Sequence, residues 1–257
     1  MATRRLVPNK IKRYGWRPDL PDFRDFAYMA PAVAALPPKV DLRPQCPPVY
    51  DQGQLGSCTA NAIGGAIEFD QMKQKQAPVV PSRLFIYYNE RVIEGTVSQD
   101  AGAQIRDGVK SVNKLGAPPE AVWPYVISKF AQKPPTAAFT AALKHQVVSY
   151  QRVTRDLTQL RGCLAAGYPI VFGFTVYESF ESSKVAKTGI LDMPAKDEKV
   201  VGGHAVLCVG YDDGAQRFTV RNSWGAQWGM NGYFTMPYTY LTSSGLASDF
   251  WMLKTVE

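Results

Sequence analysis

Two kinds of hydrophobic spacing divide the chain. After Cys58, the apolar residues Ala62, Ile63, Ala66, Ile67 and Phe69 fall at mixed three- and four-residue steps, which predicts a helix with Cys58 at its N-terminus. Pro81 to Glu90 predicts a second helix, with Ser82 placed to cap it. Gln104 to Lys114 predicts a third, with Ile105, Val109 and Val112 at core spacing and Gly116 closing it. From His145 the character changes. Gln146 to Val153 alternates and reads as a strand, Leu157 to Ala166 as a helix ended by Gly167, and Tyr168 to Val176 as a buried strand. Val201 to Tyr211 and Arg217 to Gly225, the latter ending in Asn222 and Trp224, read as two strands joined into a hairpin at Asp212-Asp213-Gly214, with Gly232 to Met236 as one more. Residues from about 50 to 144 thus read as mainly helical, and those from about 145 to 257 as mainly β, an α+β pattern.

Residues 1–36 follow neither period. Tyr14-Gly15-Trp16-Arg17-Pro18-Asp19-Leu20-Pro21-Asp22-Phe23 mixes aromatics, prolines and both charges, which suits an extended segment ordered by contact, because Tyr14, Trp16, Phe23 and Phe26 favour burial. Ala30 to Pro38 reads as a linker. The chain therefore divides into an extension, 1–36, and a main domain, 37–257.

The chemistry concentrates at three places. A glycine-rich loop, Asp51-Gln52-Gly53-Gln54-Leu55-Gly56-Ser57, ends in Cys58 at a helix start, where unpaired backbone N–H groups favour thiolate over thiol. Gln52 offers a side-chain amide that can fold back beside the sulfur, so that with the Cys58 N–H two donors aim at one point, an oxyanion hole. A thiolate needs a proton partner, and the chain holds only two histidines, His145 and His204. His204 follows Gly202-Gly203 on a buried strand. The hairpin brings Asn222 towards it, ready to hold the imidazole in one tautomer, with Trp224 to shield that bond from water. His145 lies between a lysine and a strand and is expected at a surface or edge.

Gln52…Gly56-Ser57-Cys58, His204-Ala205-Val206 and Asn222-Ser223-Trp224-Gly225…Trp228-Gly229…Asn231-Gly232-Tyr233 resemble the papain family of cysteine peptidases, in the same order Gln, Cys, His, Asn. The resemblance runs from about Pro38 to the C-terminus and is closest to bacterial members with a short N-terminal extension. It implies a two-lobed α+β fold with the site in the cleft between a helical and a β-barrel-like lobe. It implies a peptide or protein substrate, no cofactor, and catalysis by Gln52, Cys58, His204 and Asn222. Substrate contacts are carried over to Gly56, Ser57, Gly102, Ala103, Gly173, Gly203, Ala205 and Trp224. Gly173, Gly202 and Ala205, all small, imply a roomy apolar pocket for Leu, Phe or Tyr. Family members are commonly zymogens with a long helical propeptide. Residues 1–36 are too short for that unit, which leaves an inhibitory segment in the cleft and a permanent packing arm both open. Two other functions fit the frame: acyl transfer to an acceptor other than water, and a non-catalytic binding protein, against which the retained Cys, His, Asn and Gln argue.

Composition narrows the picture further. A net charge of +7 is uneven, since residues 1–26 hold seven basic against three acidic side chains. No aromatic-basic interleaving or zinc spacing accompanies them, so a solvated tail is expected rather than nucleic-acid binding. No apolar run approaches the roughly 20 residues that span a bilayer, and the basic N-terminus has no apolar stretch behind it to make a secretory signal. A monomer, cytoplasmic or exported by another route, is expected. The two histidines and four cysteines give no metal-ligand spacing. Cys208 reads as a small core residue, and Leu55 stands where plant and animal relatives usually carry a cysteine. A bridge between Cys46 and Cys163 is left open.

Overall fold

The computed structural model describes residues 14–30 and 35–255, so the basic side chains before Tyr14 and the middle of the linker lie outside the described residues. In chain order the elements are β1 (Ala27–Tyr28), β2 (Lys39–Asp41), α1 (Cys58–Lys73), α2 (Arg83–Glu94), α3 (Ile105–Leu115), α4 (Thr136–Ala142), β3 (Ser149–Val153), α5 (Leu157–Ala165), β4 (Ile170–Tyr177), α6 (Ser183–Thr188), β5 (Val200–Asp212), β6 (Arg217–Arg221), β7 (Tyr233–Pro237), α7 (Tyr238–Thr242) and β8 (Ala247–Lys254).

Helix α1 is the centre of the molecule. Every residue from Cys58 to Gln71 is buried. A helix enclosed on all sides needs no polar face, which explains why its apolar spacing mixes three- and four-residue steps instead of forming one stripe. Helix α2 starts where Ser82 accepts a hydrogen bond from the Phe85 N–H and ends at Gly95, whose φ of 70° is left-handed. Gly116, at φ 75°, closes α3.

The strands form one sheet in the order β1-β3-β8-β4-β5-β6-β7, with β2 added on β5. Two antiparallel registers place the site. Pairing of β4 with β5 sets Phe174 opposite His204 and Gly173 opposite Ala205, and pairing of β4 with β8 sets Gly173 opposite Ser248. Strand β8 was not predicted. It is buried along nearly its whole length, so it shows no alternation to read.

Segment 14–28 lies against both halves. Trp16 bridges to Ala103 before α3, and β1 pairs in parallel with β3. Asp25 accepts from Arg106 at 2.5 Å and from Arg152 at 3.2 Å, and Arg152 reaches Asp249 at 3.0 Å. The four cysteines are free thiols. The Cys46 sulfur sits 3.4 Å from the Leu42 carbonyl and that of Cys163 lies 3.7 Å from the Tyr168 carbonyl, so no bridge joins them. His145 is half-buried in the segment between α4 and β3, where its carbonyl accepts from the Ala117 N–H.

Candidate active site

Cys58 opens α1, and its sulfur meets three backbone N–H groups, those of Ala205, Gly15 and Thr59. Ala205 directly follows His204 on β5, so the thiol faces the strand that carries the imidazole. The His204 ring is fixed from its other side. Its Nε2 lies 2.8 Å from Asn222 Oδ1. The same oxygen accepts from the Ser223 N–H at 2.8 Å, which sets the amide orientation and makes Nε2 the donor. In the neutral ring Nδ1 is then the basic nitrogen, and it is buried without a hydrogen-bond partner among the described residues. Trp224 covers the pair, its ring 5.2 Å from the imidazole and tilted by 32°.

Gln52 is held from both ends of its amide. Nε2 donates to the Leu55 carbonyl at 2.9 Å, and Oε1 accepts from Ser223 Oγ at 2.5 Å. The Gln52 N–H donates to the Ser223 carbonyl at 2.9 Å, and the Gly225 N–H to the Tyr50 carbonyl at 2.9 Å. These bonds staple the loop before Cys58 to the loop after β6, so Gln52, Cys58, His204 and Asn222 are brought together. One Gln52 N–H remains beyond the bond to Leu55.

The extension occupies the cleft between them. Gly15 lies on the Gly56 backbone so closely that a Cβ at Gly15 would overlap the Gly56 carbonyl. The Gly15 carbonyl accepts from the Ala103 N–H at 2.7 Å, the Arg17 N–H donates to the Ala103 carbonyl at 3.1 Å, and the Trp16 N–H donates to the Gly203 carbonyl at 3.0 Å. The Trp16 indole fills a pocket that the absence of side chains at Gly173 and Gly203 leaves open, 2.6 Å from where a Gly203 Cβ would stand. Tyr14 lies over Gly202 instead, with its ring 6.0 Å from that of His204 and its hydroxyl on Glu181. Gly102 at φ 70° passes under Gly15. Ser57 turns away from the cleft, its hydroxyl 2.5 Å from Tyr125 and 3.1 Å from the Asn61 amide.

Burial changes the electrostatics expected from the sequence. Cys58 and His204 are both 0% exposed. Burial pushes the Cys58 thiol up to about 12, against the pull of the three N–H groups, and draws His204 down to about 4, against the Asn222 bond. A helix N-terminus alone favours the thiolate. Here desolvation outweighs it, and the covered pair is a neutral thiol beside a neutral imidazole.

The pocket also differs from the apolar one expected. At its end the Asp249 carboxylate, 2% exposed, accepts from Trp16 Nε1 at 3.2 Å and from the Asp19 N–H at 2.8 Å. Asp249 is held at a φ of 60°, a conformation that costs a non-glycine residue about 1 kcal/mol or more. Sequence reasoning passed over Asp249, Asp100 and Tyr87. Asp249 lies within β8, Asp100 in the loop before α3 and Tyr87 within α2, and an acidic or aromatic residue at such a place is a signal that many residues share.

Comparison with known proteins bears on the same residues. The sequence pattern described as papain family cysteine protease matches residues 36–252. Xylellain, a cysteine protease from Xylella fastidiosa, superposes with a TM-score of 0.91 at 45% identity, covering 100% of both chains. An uncharacterized peptidase C1-like protein of Acanthamoeba polyphaga mimivirus is 48% identical over 227 residues, 85% of this chain and 73% of its own. A cathepsin B-like protein of Giardia intestinalis is 30% identical over 225 residues, 79% of this chain and 70% of its own. With the helical and β halves meeting at Cys58 and His204, the fold is the two-lobed α+β fold of these relatives. The chain belongs to the papain family of cysteine proteases.

Proposed function

We propose that the chain is an endopeptidase that uses Cys58 as nucleophile and His204 as proton carrier, kept latent by its own residues 14–28. The observation that carries this reading is the arrangement around the sulfur: the Ala205 N–H beside it, His204 locked by Asn222, and Gln52 stapled to the same loop. When the cleft opens to water and substrate, the thiol proton moves to His204 Nδ1, giving a thiolate–imidazolium pair. The thiolate adds to the peptide carbonyl carbon, and the oxyanion is held by Gln52 Nε2–H and the Cys58 N–H. His204 gives its proton to the departing amine, leaving a thioester. It then takes a proton from water as that water attacks, and the acid product leaves as the thiolate re-forms. A kinetic assay on peptides with an added amine acceptor tests this: acid products support hydrolysis, and amide products would move the assignment to acyl transfer.

Gly15 turns an N–H towards the sulfur, while its carbonyl accepts from the Ala103 N–H. Acidity is expected to tighten this hold. Burial and the nearby Asp249 carboxylate raise Asp19 to about 6. Arg152 from β3 lies 3.6 Å from Asp19, the Arg106 N–H and Trp251 Nε1 donate to it, and Asp25 and the Arg106 guanidinium complete the cluster. In the released segment Asp19 returns to about 4. Its contribution to docking is therefore full below about pH 4 and lost as the pH rises through about 6. The thiol-labelling rate of the unaltered chain, divided by that of Asp19→Asn, should rise between pH 5 and 7.5. A flat ratio would remove Asp19 from the account.

Once the segment leaves, Asp249 keeps Arg152 but loses two donors, Trp16 Nε1 and the Asp19 N–H. A peptide side chain ending in N–H donors, arginine or tryptophan, fits the vacated pocket better than leucine. Hydrogen bonds to a charged group contribute about 1.5–3 kcal/mol, so the arginine-to-leucine ratio of kcat/KM should fall roughly 10-fold or more in Asp249→Ala. Profiling that shows the same ratio in both would restore the apolar pocket.

A further inference from the structure

Outside the catalytic group, one half-buried carboxylate joins the two loops that a bound peptide must touch. Asp100 receives the Gly56 N–H on both oxygens, at 3.0 and 3.1 Å. Gly56 lies two residues before Cys58, and a Cβ there would stand 2.9 Å from Asp100 Oδ1, so a side chain at position 56 would disturb this contact. The hydroxyl of Tyr87 donates to Asp100 Oδ1 at 2.5 Å and accepts from the Gly102 N–H at 3.1 Å. Gly102 precedes Ala103, whose N–H and carbonyl both pair with the backbone of the segment in the cleft.

The anchor behind this chain is rigid. Tyr87 is fully buried on α2. One turn on, Arg91 donates from Nε to the Tyr87 carbonyl at 3.1 Å, with its guanidinium 4.0 Å from the Tyr87 ring. The same guanidinium donates to the carbonyls of Val97 at 2.7 Å and Gln99 at 3.1 Å, fixing the chain that leads into Asp100. The run Gly56–Asp100–Tyr87–Gly102 thus links the loop carrying the nucleophile and its oxyanion donors to the strand-like edge at Ala103, through groups whose positions α2 sets.

We propose that Asp100 is a positioning residue for the protease reaction, holding the oxyanion donors and the peptide-pairing edge in one fixed relation. The proposal rests on the catalytic reading above. Its carboxylate does not touch the reacting atoms. It fixes where the Cys58 N–H points relative to a peptide registered on Ala103, and misplacement of about 1 Å by a residue away from the chemistry can cost on the order of 100-fold.

The test uses the full-length chain carrying Trp16→Ala, with Asp100→Ala, Asp100→Asn and Tyr87→Phe each added. Asp100→Ala frees both loops, so kcat should fall and KM rise together, lowering kcat/KM roughly 100-fold. Asp100→Asn keeps an oxygen for the Gly56 N–H and should recover most of the loss. Tyr87→Phe frees only the Gly102 side. It should raise KM about 5-fold, the scale of one neutral hydrogen bond, and leave kcat within about 2-fold. Thermal midpoints are measured on all four chains. Unchanged kcat and KM in Asp100→Ala overturn the proposal, as does a loss that follows a fall in midpoint and is not recovered by asparagine. A parent chain that neither cleaves peptide nor labels at Cys58 sinks the catalytic reading and this proposal together, whereas an active parent with an indifferent Asp100 sinks the proposal alone.

Discussion

Full-length protein carrying Trp16→Ala is expected to react with an epoxysuccinyl thiol reagent about 100-fold faster than the unaltered chain, and a chain beginning after Leu36 faster still. Trp16 is 8% exposed, its indole fits between Gly173 and Gly203, and its Nε1–H reaches Asp249. Removing a buried tryptophan side chain costs about 3–5 kcal/mol, equivalent to roughly 100- to 4,000-fold in the closed-to-open ratio. The part of the segment beyond Trp16 should stay in place in that variant. Its outer half is held by Asp25 on Arg106 and Arg152 and by β1 on β3, none of which passes over Cys58. Opening has a second consequence, because water returning to the cleft removes the desolvation that keeps Cys58 and His204 neutral. Intact-mass measurement of labelling over time, with Cys58→Ala as control, reads the effect. Equal rates for all chains would make residues 14–28 a packing arm with no hold on the nucleophile.

Cys58→Ala in an opened chain is expected to lose at least ~10,000-fold in kcat/KM, and Asn222→Ala roughly 100-fold. Neither neighbouring hydroxyl can replace the thiol. Ser57 Oγ is engaged by Tyr125 and Asn61, and Thr59 Oγ1 donates to Glu90 at 2.8 Å. Asn222→Ala leaves the thiol and imidazole in place but removes the oxygen that orients Nε2 and receives the Ser223 N–H. The ring can then turn, and Nδ1 faces the sulfur only part of the time. Adding His204→Ala to Cys58→Ala should cost nothing further, since the two groups act as one unit. Steady-state assays on purified variants with unchanged circular dichroism check each value. Residual activity in Cys58→Ala above the background of a mock preparation would place the nucleophile elsewhere.

Much of the frame was legible along the chain. The three helices from Cys58 to Leu115 and strands β3 to β7 carry their own spacing, caps and terminating glycines: Ser82 on the Phe85 N–H, and Gly116 and Gly167 at positive φ. Cys58, His204 and Asn222 were legible for the same reason, because a loop–helix start, a glycine-flanked strand and a hairpin end are local features. Strand β8 was not, since burial on both faces leaves no period. The state of the cysteine was not either. A helix N-terminus predicts a thiolate, and burial of Cys58 in the folded chain reverses it.

By itself the sequence determined the helical and β halves and the set of groups able to form a Cys–His–Asn site, because both depend on spacing between near neighbours. The tertiary structure decided what covers that site, what lies at the end of the pocket and what holds the two loops in register. Trp16 meets Asp249 across 233 residues, and Gly56 meets Asp100 across 44. Such contacts follow from how whole elements pack around α1, and no local periodicity encodes which distant side chain will close a cavity that two glycines leave open.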